Sequence, residues 1–538
     1  MSMKKQILYY LRMFWAPLII ALFVRLVGLA HNPPGLYWEE VALGYDGYSI
    51  WKTGADHHGN PWPLVAFESF GDWKPSLYFY VVAPFVGLGG LNSWAVRLPS
   101  VLAGMGIVIG IGFLSQQLAL SLSLKKPAQL SWWAMLITAI NPWAIQFSRA
   151  AWEVNLASCL LLWGVIMIIH FWHSAKNSYL FCSALCFILS MYAYHATRVI
   201  APILGMTGLI IALYLNKKQI INNLLEQKIR ATLGIIVLVL MLVPIGTQLL
   251  SSSVTQRFAE TSILSDIKPI TESNLFKELS GNGWLSRLLF HRYLMSGKEI
   301  VQNFFSHFSL DFLFISGDIN PRHSVGYTGL FYLPDALLLC GGIYKLWRHK
   351  KSPLLWFLFV WLMVGIVPAA LTQPTPHALR ILPTLPVWIV IIAFGWIKLW
   401  EAVGGFSRNE FWFKIKPVIQ MLVGGVYLFF IVGYFHYYWQ IYPHKSASHW
   451  QAGYPNLIKE IQSATNNNPN NLIYVSRSWG RPAMFYWFYT ATDPKRVQAQ
   501  ENLVLKDQGE FLEFDNLRFD NSKLFSNQDI MWRIDSNE

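Results

Sequence analysis

The chain has 538 residues, of which 54% are hydrophobic and 13% are charged, about half the roughly 25% charged residues of a typical soluble domain. Aromatic residues make up 16%, and the formal net charge is +13. This composition excludes a disordered chain and argues against an ordinary soluble enzyme. The basic residues lie in short breaks between apolar runs, as membrane topology requires. We therefore predict a multi-pass membrane protein without a nucleic-acid partner.

Eleven apolar runs are predicted to cross the membrane, because each approaches the roughly 20 residues that a spanning helix needs. They lie near 13–30, 95–117, 130–147, 154–172, 178–194, 198–215, 231–250, 329–347, 354–371, 379–399 and 417–441. A further run, Ser76–Leu91, is shorter and contains Pro84.

Charge asymmetry decides where the Ser76–Leu91 run lies, because basic loops stay in the cytoplasm. If this run crossed the membrane, the Lys125-Lys126 break would fall outside and every later loop would invert. We therefore predict an interfacial helix at Ser76–Leu91. The N-terminus is then inside and the C-terminus outside.

The residues after the last apolar run have a different pattern. A helix is predicted near 454–464, a strand at Leu472–Arg477 and a second strand-like alternation near 511–519, from the period of their apolar residues. We predict an all-α membrane domain over 1–441 and a small α/β extracytoplasmic domain over 442–538. The four cysteines lie inside apolar runs without metal-ligand spacing, and no metal site is predicted.

The first outside loop places two acids next to the membrane face. The Pro33-Pro34-Gly35 turn ends the first span, and Glu39 and Glu40 follow it. Neighbouring side chains on a helix point about 100° apart. Only one of the two carboxylates can therefore face a common site.

Lys74 adds a cation later in the same loop, and four other outside turns each add one. Two of these turns also carry an acid, Glu153 in one and Asp318 in the other. Taken alone, an arginine at a helix end usually extends to lipid headgroups, and a histidine there is usually a structural hydrogen-bonding group. Together, carboxylates and cations suit a site that holds a lipid-linked phosphate and deprotonates a hydroxyl. These residues are Lys74, Arg149, Glu153, Arg198, Arg322, His377 and Arg380.

At these residues the chain resembles the bacterial branch of the dolichyl-phosphate-mannose protein mannosyltransferase family, within the GT-C glycosyltransferases. It is similar, more distantly, to the enzymes that place aminoarabinose on lipid A. The resemblance covers residues 1–440 and is specific only when its motifs are taken together. The matching stretches are Gly-Leu-Tyr-Trp-Glu-Glu at 35–40, Asp-Trp-Lys-Pro-Ser-Leu-Tyr at 72–78, Ala-Val-Arg-Leu-Pro-Ser at 95–100, Ser-Arg-x3-Glu-x-Asn at 148–155 and Pro-His-Ala-Leu-Arg at 376–380.

The resemblance implies a GT-C fold and an enzyme of the inner or plasma membrane with an extracytoplasmic active site. It implies transfer of a monosaccharide, with inversion, from a polyprenyl-phosphate carrier to a hydroxyl of a lipid, glycan or protein. No metal is expected to be obligatory, although a divalent cation stays open as an option. The sugar, the acceptor and the carrier length are not implied.

The resemblance also assigns roles to residues. Glu39 takes the position of the expected base, with Glu40 beside it, and Glu153 matches a second-loop carboxylate. Many relatives have the shorter aspartate at the positions of Glu39 and Glu153. Ala42 and Leu43 stand where the lipid A enzymes have Arg and Tyr, which argues against that substrate. The residues expected to bind the donor phosphate are Lys74, Arg149, Arg198, Arg322, His377 and Arg380.

Two other interpretations remain open at this stage. A flippase or other transporter of polyprenyl-linked glycolipids would also have many spans and a cationic cavity. It would place ionisable groups near the bilayer midplane and interrupt its helices, whereas this sequence concentrates such groups at one predicted face. An inactive relative of the transferases also fits the sequence.

Overall fold

The computed structural model describes residues 3–249, 262–265, 267–405, 410–467, 471–520 and 532–535. These residues form two compact units. The first comprises the described residues of Met1–Val24, Gly104–Gln146 and Ala157–Phe435. The second comprises those of Arg25–Ala103, Phe147–Leu156 and His436–Glu538.

Long apolar helices dominate the chain, because a helix satisfies its own backbone hydrogen bonds where no water is present. Among the described residues, seven helices are long and apolar enough to cross a membrane: Ser93–Ser121, Glu153–Ser174, Thr197–Glu226, Lys228–Gln248, Pro353–Ala370, Leu382–Val403 and Lys416–Lys445. Three shorter apolar helices span Phe14–Leu26, Leu77–Gly89 and Asn177–Ala193. The prediction of a multi-pass helical membrane protein is confirmed, whereas the count of eleven spans stays a prediction.

The remaining helices are shorter, and two of the predicted spans are built differently from the expectation. The run at 130–147 is two helices, Pro127–Ile140 and Pro142–Ser148, because Pro142 cannot donate a hydrogen bond to the preceding turn. The run at 329–347 is helical only over Asp335–Trp347. Further helices are Ile267–Leu279, Trp284–Leu289, Arg292–Ser306, Asp311–Ile315 and Leu382–Thr384, the last two being a π-helix and a 3₁₀-helix.

The Ser76–Leu91 run forms the helix Leu77–Gly89, which has 13 residues. At 1.5 Å per residue it is about 20 Å long, short of the roughly 30 Å hydrocarbon core. Its inner face is buried through Tyr78, Phe79 and Val82. The length supports the prediction that this segment does not cross the membrane.

The Thr197–Glu226 helix changes character at Asn216, whose φ of −140° and ψ of 35° interrupt the helical backbone. The apolar part before Asn216 matches the span predicted at 198–215. Lys217 and Lys218 follow the interruption, where basic residues are expected on the cytoplasmic side.

We expect the Lys217–Arg230 segment to be cytoplasmic and the tail after Tyr442 to be outside. Gln219→Cys and Asn467→Cys, each placed at an exposed position in a chain whose native cysteines have been replaced, provide the two reporters. An impermeant thiol reagent added to intact cells should label position 467 and leave 219 unlabelled until the membrane is opened. Labelling of 219 but not 467 in intact cells would contradict the topology.

The second unit begins with the loop that follows the first span. The first-loop helix spans Trp38–Thr53 and ends at Gly54, whose φ of 72° is left-handed, the conformation that glycine supplies at a helix C-terminus. Its first backbone N–H, on Trp38, donates to Gln451 Oε1 at 2.8 Å. Glu39 and Glu40 occupy its first turn, where carboxylates interact favourably with the helix dipole.

The first-loop hairpin pairs the antiparallel strands Ala66–Ser69 and Asp72–Pro75. Its register sets Phe67 opposite Lys74. Because side chains alternate between the faces of a strand, Lys74 is buried whereas the preceding residue, Trp73, is 37% exposed. Phe67 stacks on Phe79 with ring centroids 4.1 Å apart, which fixes the hairpin against the Leu77–Gly89 helix.

The tail confirms the predicted α/β pattern. The π-helix Tyr437–Ile441 and the helix Tyr442–Lys445 follow the helix Glu410–His436 and form the end of the apolar segment Lys416–Lys445. The helices beyond this segment are Tyr454–Asn467, Pro482–Tyr489 and Pro494–Gln500. The strands of the tail are Leu472–Val475, Lys506–Asp507, Glu510–Phe511, Glu513–Phe514, Leu517–Phe519 and Trp532–Asp535. Leu472–Val475 lies between a parallel partner, Leu517–Phe519, and an antiparallel one, Trp532–Asp535, in a four-stranded mixed sheet that Glu513–Phe514 completes.

The first-loop helix shares one hydrophobic core with the tail. A side chain at Gly44 would come within 2.7 Å of the Phe488 ring, so this close packing requires a glycine. Tyr45 Oη donates to the Thr492 carbonyl at 3.0 Å, and Gln498 Nε2 donates to Thr53 Oγ1 at 2.9 Å. The tail therefore helps to hold the helix that carries the acidic pair.

Candidate active site

Glu39 and Glu40 have different environments, as expected for neighbours on a helix. Glu40 is fully buried, whereas the Glu39 side chain is 24% exposed. The Trp38 indole N–H donates to Glu39 Oε1 at 3.2 Å. Only Glu39 of the two is therefore placed where its carboxylate can meet a ligand from solution.

Glu40 is held by Arg97 in a two-bonded ion pair. Arg97 Nε donates to Glu40 Oε1 at 2.9 Å and Nη2 donates to Oε2 at 3.0 Å. The Ala151 backbone N–H donates to Glu40 Oε1 at 2.8 Å. Both side chains are 0% exposed, so every bond of this pair is shielded from water and strengthened accordingly.

Arg97 also fixes the backbone of the turn before the acidic helix. Its guanidinium donates to the carbonyls of Leu29 and Pro33, each at 2.9 Å, and to that of Gly35. One arginine thus connects the end of the first span, the Pro-Pro-Gly turn and Glu40. This network orients the first turn of the helix on which Glu39 lies.

Lys74 forms an ion pair with Glu39. Its Nζ contacts Glu39 Oε2, and the lysine side chain is 9% exposed. The hairpin holds the lysine from one side while the first-loop helix holds the acid from the other. The pair is an acid and a cation in direct contact at a partly open position.

The second outside loop contributes Arg149 and Glu153 in the same unit. Arg149 is fully buried and donates to the Asn32 carbonyl from Nη2 at 2.7 Å and to Tyr438 Oη from Nε at 3.1 Å. Its guanidinium lies 5.6 Å from the Tyr438 ring centroid, within the range of a cation–π interaction. Glu153 is partly buried and begins the helix Glu153–Ser174.

The other predicted phosphate ligands belong to the first unit. Arg198 Nε donates to the Met191 carbonyl at 3.3 Å. Arg322 Nε is 3.5 Å from Asn320 Oδ1. Arg380 donates to the carbonyls of Gln373 at 2.8 Å and Pro374 at 3.2 Å. The action of these cations together with Glu39 and Lys74 stays a prediction.

His377 lies in a buried cluster with Asp318 and His323. Asp318 Oδ2 is 3.3 Å from His323 Nδ1 and 3.7 Å from His377 Nδ1. Burial and the nearby His323 and Arg380 lower the pKa of His377 to about 2. Although burial opposes it, the hydrogen bond and charge of His323 lower the pKa of Asp318. The pair is therefore an ionised carboxylate beside a neutral imidazole.

Three features, two in the second unit and one in the first, were not predicted from the sequence. One is the structural role of Arg97. The sequence offered one indication of it, because a charged residue inside the otherwise mainly apolar motif Ala-Val-Arg-Leu-Pro-Ser is unusual. The second is Asp318, which contacts residues that follow far along the chain. The third is the buried contact of His57 Nδ1 with Asp46 Oδ1 at 2.7 Å. Burial alone would lower the pKa of His57, but the Asp46 carboxylate raises it.

Comparisons with known proteins agree with the predicted fold. No family model and no curated protein sequence matches the chain. Among solved structures, ArnT from Cupriavidus metallidurans in the apo state has 13% sequence identity and a TM-score of 0.50, covering 93% of this chain and 90% of that one. The same protein bound to undecaprenyl phosphate has 13% identity and a TM-score of 0.48, covering 93% and 89%.

A second similar structure is the archaeal oligosaccharyltransferase AglB from Archaeoglobus fulgidus, in complex with an inhibitory peptide and a dolichol-phosphate. It has 12% identity and a TM-score of 0.45, covering 78% of this chain and 55% of that one. The likeness to apo ArnT, at 13% identity, establishes the fold alone. The chain has the fold of the GT-C glycosyltransferases, as the sequence motifs predicted.

Proposed function

We propose that the chain is a membrane glycosyltransferase that moves a monosaccharide from a polyprenyl-phosphate carrier to an acceptor hydroxyl on the extracytoplasmic side. The observation that carries this proposal is the Glu39–Lys74 pair. Its acid lies in the first turn of a helix held by a buried arginine network, and its cation lies on a hairpin packed against the same core. A rigidly placed carboxylate beside an ammonium group suits proton removal next to a phosphate.

The reaction follows from the two side chains. The acceptor oxygen attacks the anomeric carbon, the bond from that carbon to the carrier phosphate oxygen breaks, and the electron pair of that bond leaves with the phosphate. The hydroxyl proton passes to Glu39. Attack opposite to the leaving group inverts the anomeric configuration. The carrier phosphate is already a good leaving group, so no acid is required to protonate it.

Lys74 has two successive partners in this proposal. Without a donor, its ammonium group contacts Glu39. A donor phosphate would compete for the same ammonium group, since Lys binds phosphate as a point charge. When Lys74 turns to the phosphate, the Glu39 carboxylate becomes available for the acceptor proton. Donor binding would thus prepare the base.

The other residues have supporting roles. Glu40 orients the helix through Arg97, and Arg149 ties the second loop to the Asn32 carbonyl. Glu153 is the candidate for orienting the acceptor. Arg198, Arg322 and Arg380 are the candidates for additional charge on the donor phosphate. These last four assignments depend on the resemblance and not on distances to Glu39.

The fold agrees with the proposed donor class. ArnT from Cupriavidus metallidurans, which shares the fold, is also known bound to undecaprenyl phosphate. We propose a related carrier lipid as the donor here, with membrane lipids around it and a lipid, glycan or protein hydroxyl as the acceptor. No metal is assigned to the transfer step.

Replacing Lys74 by alanine should weaken donor use more than folding. A hydrogen bond to a charged group contributes about 1.5–3 kcal/mol, so kcat/KM for the donor should fall by about 10–150-fold. Lys74→Arg should retain part of the activity because it keeps the charge. Lys495→Ala, at an exposed tail position, is the control. Equal losses of folded protein and activity in Lys74→Ala would favour a structural lysine.

The proposal is tested with radiolabelled sugars on defined polyprenyl-phosphate donors, added to membranes that contain or lack the protein. We expect protein-dependent label in a glycan, lipid or protein fraction and release of free carrier phosphate. Movement of the intact labelled lipid between leaflets, without release of carrier phosphate, would instead identify a transporter.

A further inference from the structure

Asp318 and His323 in the first unit have no role in the proposed transfer. They form a buried cluster with His377, which the resemblance placed among the residues expected to bind the donor phosphate. Asp318 and His323 follow the π-helix Asp311–Ile315, and His377 lies in the turn after the helix Pro353–Ala370. The three potential ligand atoms lie within 4.8 Å of one another. The two histidine rings have centroids 4.8 Å apart.

The carboxylate of the cluster is oriented by backbone groups from both segments. The Asn320 N–H donates to Asp318 Oδ1 at 2.9 Å, and the Ala378 N–H donates to Asp318 Oδ2 at 2.7 Å. Each oxygen of an ionised carboxylate has further lone pairs. The acid is therefore held in place and retains capacity to bind another group.

His307 supports His377 without belonging to the cluster. Its Nδ1 is 2.8 Å from the Asn303 carbonyl, and its Nε2 accepts the His377 backbone N–H at 3.3 Å. Both ring nitrogens of His307 are thus engaged. Outer groups that fix a ligand's position in this way commonly surround metal sites.

His377 supplies the observation that points to a ligand. Its Nδ1 is buried without a hydrogen-bond partner, and the distance of 3.7 Å to Asp318 Oδ2 is too long for a hydrogen bond. Buried polar atoms are nearly always bonded, and an exception calls for an explanation such as an ion. Ligands about 2.1 Å from a tetrahedral ion lie about 3.4 Å apart, close to the observed 3.3 and 3.7 Å.

We propose that Asp318, His323 and His377 bind one divalent transition-metal ion of the zinc type. Two imidazoles and a carboxylate suit zinc, whereas magnesium and calcium prefer oxygen ligands. The ion ties the segment after the π-helix to the turn at 372–381. Three protein ligands leave a fourth position for water. Neither Asp318 nor His323 has a role in the proposed transfer, so metal binding can be measured without it.

Zinc binding by the full-length protein in detergent tests this inference. After chelator treatment and removal of the chelator, Zn²⁺ alone is titrated by calorimetry. We expect one ion per chain and a raised Tm. Asp318→Asn and His377→Gln should lose binding at the Zn²⁺ concentration that saturates the wild type. The matched control is His449→Gln, at an exposed histidine in the tail, and should bind normally.

Cobalt provides a readout that does not depend on how the variants fold. Co²⁺ titrated into the wild-type protein should give the intense visible d–d absorption of a tetrahedral site with nitrogen and oxygen ligands, and Zn²⁺ should displace the Co²⁺. Absence of this band, or Zn²⁺ binding that is equal in the wild type and both ligand variants, would overturn the proposal. The cluster would then be an Asp–His hydrogen-bonding network only.

Discussion

Replacing Glu39 by glutamine should slow sugar transfer by about 10²–10⁴-fold, the usual contribution of a general base. Glutamine keeps the size of the side chain but cannot accept the hydroxyl proton. Donor binding should remain largely intact, because Lys74 would be released from its ion pair and left to the phosphate. Initial rates and donor affinity, measured on the same purified protein, separate the two effects.

Two further substitutions sharpen this prediction. Glu39→Asp restores the residue type of many relatives but draws the carboxylate back by about one methylene. It should also be costly, because the buried arginine network fixes the helix and the backbone therefore cannot move to compensate for the shorter side chain. Glu278→Gln, at an exposed position of the first unit, is the control. If Glu40→Gln abolishes transfer while Glu39→Gln keeps a near-normal rate and both proteins are folded, the roles are reversed.

The second large effect concerns stability. Removing one partner of a buried ion pair usually costs about 3–5 kcal/mol. Glu40→Gln leaves Arg97 charged and fully buried, and Arg97→Met leaves Glu40 in the same condition. Each variant should therefore unfold at a markedly lower temperature in detergent, and activity should fall with the fraction of folded protein.

A double variant and an exposed pair serve as the comparisons. Glu40→Leu with Arg97→Met removes both charges and should recover only part of the loss, because the carbonyls of the Pro-Pro-Gly turn and the Ala151 N–H also lose their partners. The Lys345–Glu401 pair has a 2.6 Å contact, but the acid is 55% exposed. Glu401→Gln should cost only about 0–1 kcal/mol. An equally small cost for Glu40→Gln would contradict the structural role of the buried pair.

The sequence was informative wherever a local pattern determined the structure. Composition and apolar runs predicted the membrane helices, and the 100° step between helix neighbours predicted that Glu39 and Glu40 would face different environments. The switch in apolar period after Tyr442 predicted the mixed tail. The positions of distant basic loops predict that the helix Leu77–Gly89 lies in the membrane interface, and its length of 13 residues agrees with that prediction.

Long-range contacts explain what the sequence left undetermined. Arg97 binds carbonyls more than 60 residues away, and no spacing rule connects an arginine to such partners. Asp318 and His377 are likewise far apart along the chain. Hydropathy also failed to predict the helix end before Pro142, inside a long apolar run. A hydropathy pattern depends only on side-chain polarity and carries no information about a missing backbone hydrogen bond.

The shared core of the first loop and the tail has a functional consequence. The first-loop helix packs against Phe488, Thr492 and Gln498, so the tail contributes to the position of Glu39. This explains why a region of separate composition does not form a separate hydrophobic core. The predicted domain boundary between residues 441 and 442 stays a prediction. The two compact units are each built from several segments of the chain, and the second unit combines the first outside loop with the tail.

A single-turnover reaction with a doubly labelled donor tests the central claim most directly. The sugar and the polyprenyl-phosphate carrier bear different labels, and wild-type protein is compared with Glu39→Gln in the same vesicles. Wild type should release one carrier phosphate for each sugar attached to an acceptor hydroxyl with inverted configuration, and both products should fall together in Glu39→Gln. Equal product formation by the two proteins, or translocation of an intact donor by both, would contradict this prediction.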